Sequence, residues 1–194
     1  MGLRTWLGIK KKKPIRARAT DYWSSRCDML YYTEVRMLAD KVAPNAASVI
    51  DVGSNGCPYL DWFDATQKVS VDLLKPYSAP DVVSVTADFI EYQLPNRFDL
   101  CLCLQVLEHV PDPTPFARKL LESAEHVIAS VPYLWPAGST LGHLHDPVDE
   151  EKMLAWFGRR PHYSAIVKEN RGGAKSRRLI CYYRTAPQVQ ATTS

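Results

Sequence analysis

The stretch Ser48-Val49-Ile50-Asp51-Val52-Gly53-Ser54-Asn55-Gly56-Cys57 decides the fold. Val49, Ile50 and Val52 are apolar and β-branched, as a strand inside a parallel sheet requires. Gly53 and Gly56 accept backbone angles that other residues resist, and Asn55 tolerates the left-handed region better than most. Pro58 is suited to open a helix, because its missing N–H is no loss in a first turn. A strand, a glycine-bearing turn and a helix N-terminus together form a site for part of a nucleotide. The dinucleotide fingerprint asks for glycine at its first, third and sixth places. Counting from Gly53, the chain offers Gly53, Asn55 and Pro58, so that fingerprint fails. What remains is an acid at the strand end, a spacer and a turn of small residues. Such turns also recur in ordinary α/β proteins, so the rest of the chain must decide.

Outward from this stretch, helix and strand patterns alternate. Asp21 to about Lys41 reads as a helix that either covers a cleft or pads a sheet. Residues 67–72 form a second strand ending on Asp72, which follows Asp51 by 21 residues. An acid about 20 residues past such a turn is placed to accept from ribose hydroxyls, the alternative being a surface carboxylate. Residues 82–85 read as a third strand and 98–104 as a fourth, nearly continuous in apolar residues and so covered on both faces. Cys101 and Cys103 share one face of it as small core residues. Helices are expected over 114–123 and 149–157, a fifth strand over 126–132, and an antiparallel hairpin from 162–167 and 178–183. The sum is an α/β, Rossmann-like fold: a seven-stranded, mostly parallel sheet with a C-terminal antiparallel hairpin and helices on both faces.

The chain has 194 residues, enough for one domain, which the composition assigns to residues 21–185. Residues 1–20 hold seven of the 24 basic side chains and no acid, leaving 17 bases against 21 acids in the remainder. They read as a basic flexible arm, with Trp6 and Leu7 offering weak peripheral contact to an anionic membrane. Trp6 stands where a myristoylation signal wants Ser or Thr. Residues 186–194 read as a disordered tail. The acidic remainder makes no electrostatic case for nucleic acid. There is no run of about 18 apolar residues and no secretory signal. Five cysteines without a CxxC pair suit a reducing cytoplasm. The oligomeric state is not legible.

The segment Phe98-Asp99-Leu100 through Leu107-Glu108-His109-Val110-Pro111-Asp112-Pro113 is the most specific part of the chain. It resembles the motif after the fourth strand in class I S-adenosylmethionine-dependent methyltransferases, in the group with ubiquinone-pathway and sugar O-methyltransferases. The resemblance covers residues 45–135, and the element order extends it to about residue 184. Asn55 and Cys57 depart from it where that family carries its second and third glycines. It implies S-adenosylmethionine as cofactor. Asp51, Gly53 and Asn55 would lie along the methionine and ribose part, and Asp72, with Leu73 beside it, would hold the ribose. Asp88 would accept from the adenine amino group with Phe89 against the ring, and Gln105 would lie near the sulfonium. An acid-lined crevice also suits a cation better than pyrophosphate.

The expected activity is O-methylation of a small molecule or glycan hydroxyl, with a histidine as base. The alternatives are C- or N-methylation, or a catalytically inactive partner protein that keeps the cofactor fold. His109 is the first candidate base, because it follows the fourth strand and titrates in the needed range. His143 and His145 belong to the loop after the fifth strand and are the other candidates, either as a base or as part of a metal site with Glu108 and His109. Small-RNA 3′-end methyltransferases carry a similar Glu-x-x-Glu-His metal motif, but Gln105 takes its first place here. No metal is expected to be needed.

Overall fold

The computed structural model describes residues 22–170 and 172–185. The basic arm and the C-terminal tail lie outside the described residues. β1 (Ser48–Val52) runs between β2 (Gln67–Asp72) and β4 (Phe98–Leu104), parallel to both, with Ile50 opposite Val69 and Cys101. β3 (Val83–Thr86) adds in parallel beyond β2, and β5 (Ala124–Pro132) beyond β4. β6 (Tyr163–Lys168) and β7 (Arg177–Arg184) form the antiparallel hairpin, and β7 joins β5. The order is β3-β2-β1-β4-β5-β7-β6. The chain therefore reverses its direction of winding between β1 and β4, where open α/β sheets bind ligands at the carboxyl ends of their strands.

Strand alternation sorts the core into two layers. Ile50, Val52, Cys101 and Cys103 face α2 (Pro113–Ser123) and α3 (Glu150–Phe157) through Phe116, Leu120 and Met153. Val49, Leu100, Leu102 and Leu104 face α1 (Leu30–Val42) through Tyr31, Val35 and Leu38. Asp112 caps α2 by accepting from the Thr114 N–H at 3.2 Å, and Asp149 caps α3 by accepting from Lys152 N–H at 2.9 Å. The expected seven strands, hairpin and helices on both faces are all present. No helix among the described residues is long and apolar enough to cross a membrane.

Two expectations need correction. The helix expected from Asp21 to about Lys41 is interrupted: residues 22–24 make one helical turn, and α1 begins at Leu30 after an extended Met29. The buried Glu169 carboxylate, at the end of the hairpin's first strand, accepts from the N–H groups of Leu30 at 3.2 Å and Tyr31 at 2.8 Å. A charge-assisted cap from 138 residues away thus sets where the helix starts. Pro58, in turn, does not open an α-helix. A single 3-10 turn, Tyr59–Trp62, follows it. Its side chains are taken by an aromatic cluster with Trp23 and Tyr32, whose ring centroids lie 5.0–5.7 Å apart from Tyr59 and one another. Burying those rings outweighs continuing the helix.

Because Glu169 satisfies two N–H groups at a helix end, Glu169→Ala should lower folding stability by about 1–3 kcal/mol. Denaturant unfolding measures the loss. Amide exchange at Tyr31 should quicken selectively, and unchanged exchange there would refute the cap.

Candidate active site

At the carboxyl ends of β1, β2 and β4 opens a cleft of about 900 Å³. Its floor is the turn after β1. Gly53 has φ +81°, and a Cβ there would stand 2.4 Å from a Val106 methyl. Gly53 is therefore required both by its backbone angle and by the close approach of the loop after β4. Asn55 sits in the left-handed region at φ +48°, which explains how the turn closes without glycine at this place. Its N–H donates to Asp72 Oδ2 at 2.8 Å.

Asp72 is occupied more fully than its sequence position suggests. Oδ1 accepts from the N–H groups of Leu74 and Lys75, both at 2.8 Å. A carboxylate offers about four acceptor sites, so one remains on Oδ2. Asp88 accepts from Ile90 N–H at 2.9 Å through one oxygen. Phe89 is buried against Phe116, with ring centroids 5.1 Å apart. Lys119 holds this loop by donating to the carbonyls of Ile90 and Tyr92. Gln105 adopts φ +60°, and its side-chain amide donates to Ser130 Oγ at 3.2 Å. A non-glycine residue at that φ is strained, and such strain concentrates at functional sites.

Gly53, Asn55, Asp72, Leu73, Asp88, Phe89 and Gln105 all line the cleft. Asp51 does not. It is wholly buried behind the turn, and neither carboxylate oxygen has a hydrogen-bond partner among the described residues. Burial, and then the nearby Asp72 charge, push its carboxyl well above the ordinary range.

The three histidines separate into two roles. His109 and His143 line the cleft, whereas His145 does not. His145 Nε2–H donates to the Val110 carbonyl at 2.7 Å and its ring meets Trp156 edge-on, so it ties two loops together. His109 Nδ1–H donates to the Gly142 carbonyl at 2.9 Å. A carbonyl only accepts, so the neutral ring carries its lone pair on Nε2. Burial pushes the His109 pKa below its ordinary value, which keeps the ring neutral. His143 lies at right angles to it, with centroids 4.7 Å apart, and stacks on Trp135. Its Nδ1 is bonded to Asp146 Oδ2 at 2.7 Å, which likewise leaves Nε2 free.

Glu108 completes this group. It is 1% exposed, and both its oxygens lack partners among the described residues. Burial raises its pKa to about 8. Ligand atoms of Glu108, His109 and His143 lie within 4.8 Å of one another. Two imidazole nitrogens and a carboxylate oxygen, each imidazole braced through Nδ1, fit a divalent cation of the first transition row. Of the four residues that the sequence offered for a metal site, the structure brings together Glu108, His109 and His143, and His145 is turned away from them. The sequence missed Arg26 and Arg178, which line the cleft from the segment before α1 and from β7. Neither stands in a recognisable motif.

Glu108 gives a pH signature. Its folded-state pKa, about 8, lies above the ordinary 4.5, so the folded protein keeps this proton where the unfolded chain releases it. The associated stability is complete below the unfolded value and is lost as pH rises through about 8. In chelator, Glu108→Gln should therefore lose less melting temperature than the wild type between mildly acidic and mildly alkaline pH. Parallel melting curves would show that the carboxyl is not held protonated.

No family model matches the chain. A ubiquinone biosynthesis O-methyltransferase from Pseudomonas aeruginosa PAO1 is 26% identical over 145 residues, 73% of this chain. The chain spans only 58% of that relative's length. Among solved structures, the N-methyltransferase NodS from Bradyrhizobium japonicum WM9, in complex with S-adenosyl-L-homocysteine, matches with a TM-score of 0.60 at 11% identity. That match covers 82% of this chain and 90% of NodS. The Burkholderia thailandensis 1,6-didemethyltoxoflavin-N1-methyltransferase, with 1,6-didemethyltoxoflavin and S-adenosylhomocysteine bound, matches with a TM-score of 0.64 at 18% identity. It covers 89% of this chain and 85% of that one. These likenesses extend over most of the chain and show its fold: the chain has the fold of the class I S-adenosylmethionine-dependent methyltransferases.

Proposed function

We propose that this protein is an S-adenosylmethionine-dependent methyltransferase acting on a hydroxyl of a small molecule or glycan. The observation that carries it is one cleft holding Asp72 and Asp88, at the ends of adjacent strands, together with the free Nε2 of His109. When bound, S-adenosylmethionine supplies a methyl on a positively charged sulfur. The remaining acceptor site of Asp72 takes a ribose hydroxyl. Asp88 accepts from the adenine amino group, and Phe89 forms the wall beside the ring. The acids of this end match a cationic ligand. His109 Nε2 takes the acceptor's hydroxyl proton as the oxygen gains the methyl, while Gly142 holds the ring in the required tautomer. A neutral nitrogen acceptor attacks through its own lone pair and has less need of such a base, which is why a hydroxyl is favoured over it. A partner protein without catalysis has no need of it at all.

Glu108 favours a second role for the same residues. A buried carboxylate with no partner is costly, and a cation held with His109 and His143 would satisfy it. His109 Nε2 would then be a metal ligand and not a base.

Asp72→Ala should weaken S-adenosylmethionine binding by about 1.5–3 kcal/mol. Calorimetry on the folded variant tests this, and unchanged affinity would remove the ribose role. NAD should bind far more weakly than S-adenosylmethionine, and comparable binding would overturn the methyltransferase proposal.

Once an acceptor is in hand, His109→Gln should lower turnover by about 10²–10⁴ while keeping cofactor affinity. Chelator should leave wild-type turnover intact if His109 is the base. Loss of turnover on chelation, restored by manganese and accompanied by a manganese-dependent rise in melting temperature absent from Glu108→Gln, would establish the metal role instead.

A further inference from the structure

The cleft has a second electrostatic pole. Arg178 enters it from β7, on the face of the sheet that carries α1. Its guanidinium carbon lies 5.3 Å from the Trp135 ring centroid and 5.7 Å from that of Tyr31. Its hydrogen bond to protein is a long one, 3.5 Å, to the neighbouring Ser176 carbonyl. Among the described residues no carboxylate lies within ion-pair distance of it. A guanidinium offers five N–H donors in a planar fork. Half-buried between two rings and engaged with no protein carboxylate, that fork keeps donors open to the cleft, where an anionic ligand can take them.

A second guanidinium stands at the same end. Arg26 also lines the cleft, 4.1 Å above the Tyr22 ring, and both arginines act electrostatically on the Tyr22 hydroxyl. Lys175, beside Trp135, is already engaged with the Ser139 carbonyl at 2.9 Å. Asp72 ends β2 and Asp88 follows β3, across the switch point from β7. The cleft is thus acidic on the β2–β3 side, and on the β7 side Arg178 faces a Glu108 carboxyl that burial holds toward its protonated form.

We propose that the methyl acceptor carries a carboxylate, gripped by the Arg178 fork, while its hydroxyl is presented to His109. This rests on the methyltransferase function proposed above. A carboxylate suits the site better than a phosphate. It is flat, singly charged and matched by one fork, whereas a phosphate monoester brings three oxygens and nearly two charges.

Fragment binding tests this directly, with benzoate, benzamide and phenyl phosphate as probes. Binding to wild type, Arg178→Met and Arg178→Lys is followed by NMR titration with S-adenosylhomocysteine present. Wild type should bind benzoate roughly tenfold or more tighter than neutral benzamide, the range of a charge-assisted pair. Arg178→Met should erase that preference and leave benzamide and S-adenosylmethionine affinity unchanged. Arg178→Lys, which keeps the charge and much of the packing, should keep part of it. Melting curves confirm that both variants fold. Equal binding of benzoate and benzamide, or a preference that survives Arg178→Met, would overturn the acceptor assignment. Tighter binding of phenyl phosphate than benzoate would overturn the carboxylate. Failure of the wild type to bind S-adenosylmethionine at all would overturn the methyltransferase proposal itself.

Discussion

The Asp72 carboxylate holds the cleft together. Three backbone N–H groups from two separate segments, Asn55 on one side and Leu74 and Lys75 on the other, point at its two oxygens. All three donors are exposed and could turn to solvent, so what the carboxylate supplies is their common direction. The bonds tie the turn after β1 to the loop after β2, so the floor and one wall move as a unit. The same carboxylate keeps an acceptor site for a ligand. Ser54 adds a second tie between the same segments, its Oγ accepting from the Tyr77 N–H at 2.9 Å and donating to the Lys75 carbonyl at 3.3 Å, so two side chains hold the glycine-poor turn where glycines alone would not define it.

Close approach makes the opposite wall. Val106 packs into the space that any side chain at position 53 would need. Gln105 turns back through a positive φ, and its side chain reaches Ser130 Oγ, which also meets the Tyr31 hydroxyl at 2.5 Å. The chain leaving β4 is thereby bent over the cleft before Glu108 and His109 enter it. Local strain is maintained because β5 and α1 both grip the bend.

Charge is arranged with unusual economy of partners. Asp51 and Glu108 are buried carboxylates without hydrogen-bond partners among the described residues, and both are pushed toward the protonated form. Asp146 is buried too, yet it keeps one oxygen on His143. Buried carboxyls with perturbed protonation are most often found at functional sites. Across the cleft, Arg26 and Arg178 are stacked on aromatic rings. Two ends of opposite sign are what a site needs if it must orient two different molecules along one line.

Much of this was legible in the residues. Period and composition placed the strands within two residues, because burial on both faces leaves a continuous apolar run. The spacing of Asp51, Asp72 and Asp88 marked the strand ends, and seven of the eight residues named for the cofactor do line the cleft. The failures are of one kind. Asp51 ends a strand like the other acids, yet the turn folds over it. His143 and His145 are two apart in a loop, and only packing against Trp135 and Trp156 sends one into the cleft and the other away from it. Glu169 sets the start of α1 from 138 residues away, and Arg178 reaches the cleft only because β7 pairs with β5. By itself the sequence determined the sheet, its turn and the residues at its strand ends, because backbone geometry and burial act between near neighbours. Tertiary structure alone decided which charges are partnered, which histidine faces the cleft and which cations join it, because those depend on contacts between segments that no local pattern encodes.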